Sequence, residues 1–112
     1  MDYITFDHFK TVEIRVGEII EVNDFPEAIN PAYKIKVDLG DKIGIKKSSA
    51  QITKLYSKED LIGKQVLVVT NFHPKQIGPF ISECLITGFY RDEKNVVLAT
   101  SDKKVPNGTL LA

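Results

Sequence analysis

The chemistry-bearing side chains of this chain crowd into Asn71–Leu85, NFHPKQIGPFISECL. Phe72, His73 and Phe80 offer flat rings, Lys75 a cation, Asn71 and Ser82 hydrogen-bonding groups, and Glu83 a carboxylate. Rings beside cations suit stacking on unpaired bases or capture of an apolar segment. The competing reading is a proline-bearing connection whose apolar residues fold back onto the core. Acid–base or nucleophilic chemistry lacks partners: His8 and His73 lie far apart in sequence, and no carboxylate is spaced to work with Glu83. Cys84 sits in an apolar run, where a small buried thiol is expected rather than a nucleophile, and no neighbour has zinc-ligand spacing. No glycine loop is built to cradle phosphate. The expectation is a non-catalytic chain with neither metal nor cofactor.

A second resource is the distribution of charge. Fifteen Lys and Arg balance fifteen Asp and Glu, so the net charge is zero. Residues 1–33 nevertheless carry seven acids against Lys10 and Arg15, whereas residues 34–58 carry seven lysines against Asp38 and Asp41. Such segregation makes a local positive potential on a neutral molecule.

The elements that must position these groups are short. Thr5 caps a helix over TFDHFK with Asp7 in its first turn. Residues 12–22 alternate as a strand, with a bend at Gly17. Asn23–Ala32, holding Pro26 and Pro31, is a loop. Tyr33, Ile35, Val37 and Leu39 then face one way and Lys34, Lys36 and Asp38 the other. Gly40-Asp41 reads as a tight turn into a third strand, where Ile43 and Ile45 alternate with Lys42, Gly44 and Lys46. Residues 50–62 lose that period and read as one or two short helices, with Ser57 as a cap. Gln65–Thr70 is a buried strand. Phe72–Ser82, stiffened by Pro74 and Pro79, is an exposed excursion before strands at Glu83–Tyr90 and Val96–Thr100, and Pro106-Asn107-Gly108 is a turn.

Three strands, a short helix and two more strands are the order of an all-β, five-stranded OB-type barrel. That fold binds ligands across its second and third strands and at the loops joining strands one to two and four to five. Here those loops are Asn23–Ala32 and Phe72–Ser82, and Lys34, Lys36, Lys42 and Lys46 sit on the polar faces of the two strands. A merely solvated sheet face is the alternative. At 112 residues the chain is one domain, 1–112. It has no apolar run long enough to span a membrane, its N-terminus is too acidic for a secretion signal, and one cysteine fits a reducing compartment, so cytoplasm is expected.

FPEAINPAYKIKVDLG (25–40), IGIKKSSAQITKLY (43–56) and NFHPKQIGPFISECLITG (71–88) resemble the CsaA family, within the wider group of tRNA-binding domains appended to some aminoacyl-tRNA synthetases. VEIRVGEI (12–19) and VPNG (105–108) match as well, so the resemblance covers nearly the whole chain. It implies an OB barrel whose N-terminal helix and C-terminal extension form a homodimer. It also implies either export-chaperone activity on unfolded preproteins or recognition of folded tRNA. Asn71, Pro74, Ser82 and Glu83 match the family frame by position. Leu85 stands where synthetase-linked domains usually have methionine and Pro79 where they usually have glycine, which points toward the CsaA branch.

Two binding readings follow. For tRNA or another structured RNA, Lys34, Lys36, Lys46 and Lys47 neutralise phosphates, with Lys54 and Lys75 at the rim. Asn71, Ser82 and Glu83 complete that set, the first two by bonding an exposed base or ribose. For unfolded preproteins, Phe72, Pro74, Ile77, Phe80 and Ile81 line an apolar groove near the dimer interface. Val96-Val97-Leu98 and Leu110-Leu111, read as lying outside a closed barrel, argue for a two-fold dimer on physical grounds. Whether a synthetase is a partner is left open.

Overall fold

The computed structural model describes all 112 residues. A first helix, α1 (Phe6–Thr11), leads into the long strand β1 (Ile14–Asp24), then β2 (Tyr33–Asp38). A helical turn, α2 (Gly40–Ile43), precedes β3 (Ile45–Ala50), and a second short helix, α3 (Lys58–Leu61), precedes β4 (Gln65–Val69). The remainder is β5 (Lys75–Ile77), β6 (Phe80–Ser82), β7 (Leu85–Ile86), β8 (Gly88–Tyr90) and β9 (Val96–Leu98). Both expected caps are present: Thr5 Oγ1 accepts from the His8 amide, and Ser57 Oγ accepts from the Asp60 amide.

The main sheet runs β3-β2-β1-β4-β7 and is antiparallel throughout. β1 serves two partners because it changes register: Ile14–Glu18 pair with β4, and Glu18–Asp24 with β2, the shift falling between Ile19 and Glu21. The extra residue bends the strand and lets the sheet curl. Its two edges nearly meet, since the Glu83 amide donates to the Lys47 carbonyl at 2.7 Å and the Lys47 amide to Glu83 Oε1 at 3.0 Å. The result is a nearly closed five-stranded OB barrel. Inside lie Ile19, Ile35, Val37, Leu39, Val66 and Val68, and Leu61 of α3 plugs one end. Ser48 is the one buried polar side chain, and its hydroxyl donates to the Cys84 carbonyl at 2.8 Å.

Several sequence expectations need correction. Gly40–Ile43 is a helical turn rather than the start of a strand, because Gly40 takes φ +84° and Gly44 φ +85°. A side chain at Gly40 would collide with the Asn107 carbonyl, so the VPNG turn packs against this corner backbone to backbone. The bend expected at Gly17 lies further on; Gly17 instead leaves space for Val37 and Leu39, which a methyl there would strike. Residues 50–62 do hold one short helix, α3, capped by Ser57 as expected. The excursion after β4 is a hairpin, β5–β6, and the strand expected over Glu83–Tyr90 is broken into β7 and β8. Leu98 is buried in the core and Val96 packs against it, so this stretch covers its own barrel rather than an exposed face. Leu110 and Leu111 remain partly exposed, although the Leu111 amide is tied to the Ile14 carbonyl.

Candidate nucleic-acid interface

The pleat decides which lysines can act together. Across β1, β2 and β3, register places Asn23, Lys34 and Ser49 in one row and Glu21, Lys36 and Lys47 in the next. Alternation puts these rows on the outer face, because Ile35 and its partner Ser48 point inward between them. Glu21, Asn23, Lys34, Lys36, Lys47 and Phe80 together line a shallow concavity of about 170 Å³.

Aromatic rings build one wall. Phe25, at the start of the loop between β1 and β2, is buried, and its ring centroid lies 5.4 Å from that of Phe80 in the hairpin. The tilted geometry is the ordinary attractive one for such a pair. Lys34 Nζ lies 5.7 Å from the Phe25 centroid, and Lys47 Nζ 5.5 Å from the Phe80 centroid. Each ring attracts its ammonium through the π quadrupole, which holds a cation at the surface without neutralising it. Lys36 differs, for its Nζ lies 3.5 Å from Glu21 Oε2, an oxygen that also accepts from Asn23 Nδ2 at 3.1 Å. Two free cations, one paired cation and a ring therefore share one hollow.

The other expected site residues are placed elsewhere. Lys46 faces Val37 across the β2–β3 pair, on the inward phase of β3, out of register with the outer rows. Lys42 lies in α2, Lys54 is exposed in the turn after β3, and Lys75 is exposed on β5. Asn71 is engaged with the chain itself: its Oδ1 accepts from the Glu13 amide at 3.0 Å and its Nδ2 donates to the Thr11 carbonyl at 2.7 Å. Ser82 Oγ donates to the Cys84 carbonyl, and Glu83 closes the barrel against Lys47. In the hairpin, Ile77 pairs with Phe80 while Ile81 pairs with Gln76, so Ile81 lies on the opposite face. Phe72 and Pro74 are exposed ahead of the hairpin. The five expected apolar residues thus do not share one face. Sequence reasoning passed over Glu21, Asn23 and Phe25; Glu21 lay in the expected strand and the other two in the expected loop, and the partners of Glu21 and Asn23 needed the register.

Five titratable groups depart from ordinary behaviour, Glu13, Lys58, Asp60, Cys84 and Asp92, and none of them lines the hollow. Burial pushes the Cys84 thiol up to about 11, with the Glu83 carboxylate adding to the effect. Hydrogen bonds from Arg15 and then Thr70 hold Glu13 below the usual carboxylate range. Arg15 Nε donates to Glu13 at 2.7 Å and its guanidinium also donates to the Gly108 carbonyl at 2.8 Å. This network joins the barrel to its C-terminal turn. No group of three or more His, Cys, Asp or Glu side chains is gathered for a metal.

Comparison with known proteins places this geometry among relatives. The sequence model of a family described as "Putative tRNA binding domain" matches residues 14–110. The crystal structure of the chaperone CsaA from Bacillus anthracis is 40% identical, with a TM-score of 0.93, over 99% of this chain and all of that one. The CsaA chaperone protein from Picrophilus torridus is 50% identical, with a TM-score of 0.91, over 98% of this chain and all of that one. A methionine–tRNA ligase from Thermococcus kodakarensis is 38% identical over 108 residues, which are 96% of this chain but only 14% of that protein.

Proposed function

We propose that this chain, which belongs to the CsaA type of the tRNA-binding domain family, is a non-catalytic RNA-binding protein whose ligand is tRNA or a similarly folded RNA. One observation carries the reading: Lys34 and Lys47, each held over a phenylalanine ring, converge with Lys36 and Phe80 on one outer concavity of the barrel. This is the surface OB folds use for oligonucleotides. The ammonium groups neutralise phosphates and set affinity and salt dependence without reading sequence. Phe80, partly exposed at the rim, offers a face to an unpaired base once Lys47 swings onto phosphate. Lys75, exposed on the hairpin, extends the positive track beyond the hollow, and Lys54 adds a peripheral charge.

The chain works as a homodimer in this reading, in the cytoplasm. Support comes from α1, which buries none of its residues against its own barrel, and from exposed Ile4, Phe6, Leu110 and Leu111. Two copies double the basic surface and favour a large, folded ligand. The likeness to part of a methionine–tRNA ligase supports a synthetase as a further partner.

The test is substitution of the two ring-held cations. Lys34→Ala with Lys47→Ala is expected to weaken tRNA binding at least tenfold at low salt and to lower the salt slope by about 1.4–1.8 for each protomer that engages the RNA, from ~0.7–0.9 for each phosphate contact. Unchanged affinity and slope would remove the site from this face.

A second reading, capture of unfolded preproteins, is favoured by the chaperone name of the two structural relatives and by exposed Phe72 and Ile81. Ile77 and Phe80 border the other face of the hairpin. Under it, Phe72→Ala impairs suppression of aggregation while tRNA affinity stays; joint loss of both would mean one surface serves both ligands.

A further inference from the structure

The concavity holds a carboxylate among its lysines, and a phosphate-binding surface has no use for one as a ligand. Glu21 stands in the same cross-strand row as Lys36 and Lys47, and its Oε2 lies 3.5 Å from Lys36 Nζ. Asn23, two residues on and on the same face, donates to that oxygen at 3.1 Å and so aims it at the lysine. Both Glu21 and Lys36 have about half of their side chains exposed, 49% and 47%. In such a setting an ion pair is worth only ~0–1 kcal/mol, little enough for a phosphate to break.

From this arrangement we infer that Glu21 is a built-in competitor for the RNA phosphate at Lys36, held in place by Asn23, and that it sets both the affinity and the charge selectivity of the surface. The inference rests on the RNA reading of the face. In the free protein Lys34 and Lys47 are available, because their partners are neutral rings. Lys36 is masked. A single anion gains little there, since it meets the carboxylate as well as the lysine. A chain of phosphates anchored on Lys34 and Lys47 brings one phosphate to Lys36 at high local concentration and displaces Glu21. The surface thereby discriminates against isolated anions and favours a ligand that presents several phosphates together. The sign of the effect also separates ligand classes: removing the carboxylate strengthens binding of a polyanion, whereas it would weaken binding of a basic peptide segment that used Glu21 as its partner.

The experiment is a double-mutant cycle of E21Q and K36A in the full chain, with folded tRNA and inorganic tripolyphosphate as separate probes. The E21Q substitution keeps the size of the side chain and an oxygen that accepts from Asn23, so the fold is retained. E21Q is expected to tighten tRNA binding about two- to fivefold at low salt, because the phosphate that reaches Lys36 no longer has to break an ion pair. K36A is expected to cost more in the E21Q background than in the parent chain, because only there is Lys36 free before binding. Unchanged affinity in E21Q, or equal K36A effects in both backgrounds, overturn the inference. Weaker tRNA binding by E21Q overturns it too, by making the carboxylate a direct contact of the RNA. Failure of the parent chain to bind tRNA defeats the RNA reading instead. The masking is then judged on tripolyphosphate, where tighter binding by E21Q upholds it and no gain refutes it.

Discussion

Cys84 illustrates how position, not residue type, sets reactivity in this chain. It is buried beside Ser48 and Lys47, and its thiol is pushed up to about 11 chiefly by loss of water. The thiolate is the reactive form, so native Cys84 is expected to react with iodoacetamide near pH 8 on the order of a hundredfold more slowly than in the urea-unfolded chain. Equal rates would contradict its burial. The raised value has a stability consequence with a definite sign. Because the folded state holds the proton more tightly than the unfolded one, the contribution is complete below the ordinary thiol range and is lost as pH climbs toward 11. Glu13 runs the other way: its lowered value gives stability that is complete above the ordinary carboxylate range and fades as pH falls below it. The inert thiol was legible in the sequence from its apolar neighbours. The difference between Lys46 and Lys47 was not, because the turn α2 resets the phase of β3 and leaves Lys47, rather than Lys46, beside Lys36.

At the scale of elements, the parts that build the hollow are joined by side chains that looked like ligands. Asn71, at the end of β4, bonds the Thr11 carbonyl and the Glu13 amide and so pins α1 to the start of β1. Asn71→Ala is expected to cost about 0.5–1.5 kcal/mol in urea unfolding, since it removes exposed side-chain bonds that water partly replaces. Bound tRNA per folded molecule is expected to stay the same; a selective loss of tRNA affinity with stability intact would return Asn71 to the binding surface. Strand existence and inward alternation were readable because β2 has a clean two-residue period, with Tyr33, Ile35 and Val37 all buried. Closure was not. It depends on Glu83 meeting Lys47 across a sequence gap of 36 residues, and no local pattern encodes that. The hairpin β5–β6 was likewise read as a stiff loop, since Pro74 and Pro79 hide the pairing of Gln76 with Ile81.

For the whole molecule, a zero net charge conceals a local one: Lys34, Lys36 and Lys47 of β2 and β3 face outward in register, and Glu21 is the only acid that lines the hollow with them. The proposed homodimer would cover the exposed apolar side chains at both chain ends, and under it light scattering at micromolar concentration is expected to give twice the 12.6 kDa chain mass. A mass of one chain would overturn that expectation. Whether the ring-held lysines form an RNA site is decided by fluorescence anisotropy of labelled tRNA against RNA-free protein at several salt concentrations. Micromolar or tighter binding at low salt is expected, weakening steeply with a logarithmic slope of about 2 or more for the phosphates met by Lys34, Lys47 and their counterparts in the proposed second copy. Absence of binding at low salt, or binding indifferent to salt, would contradict it.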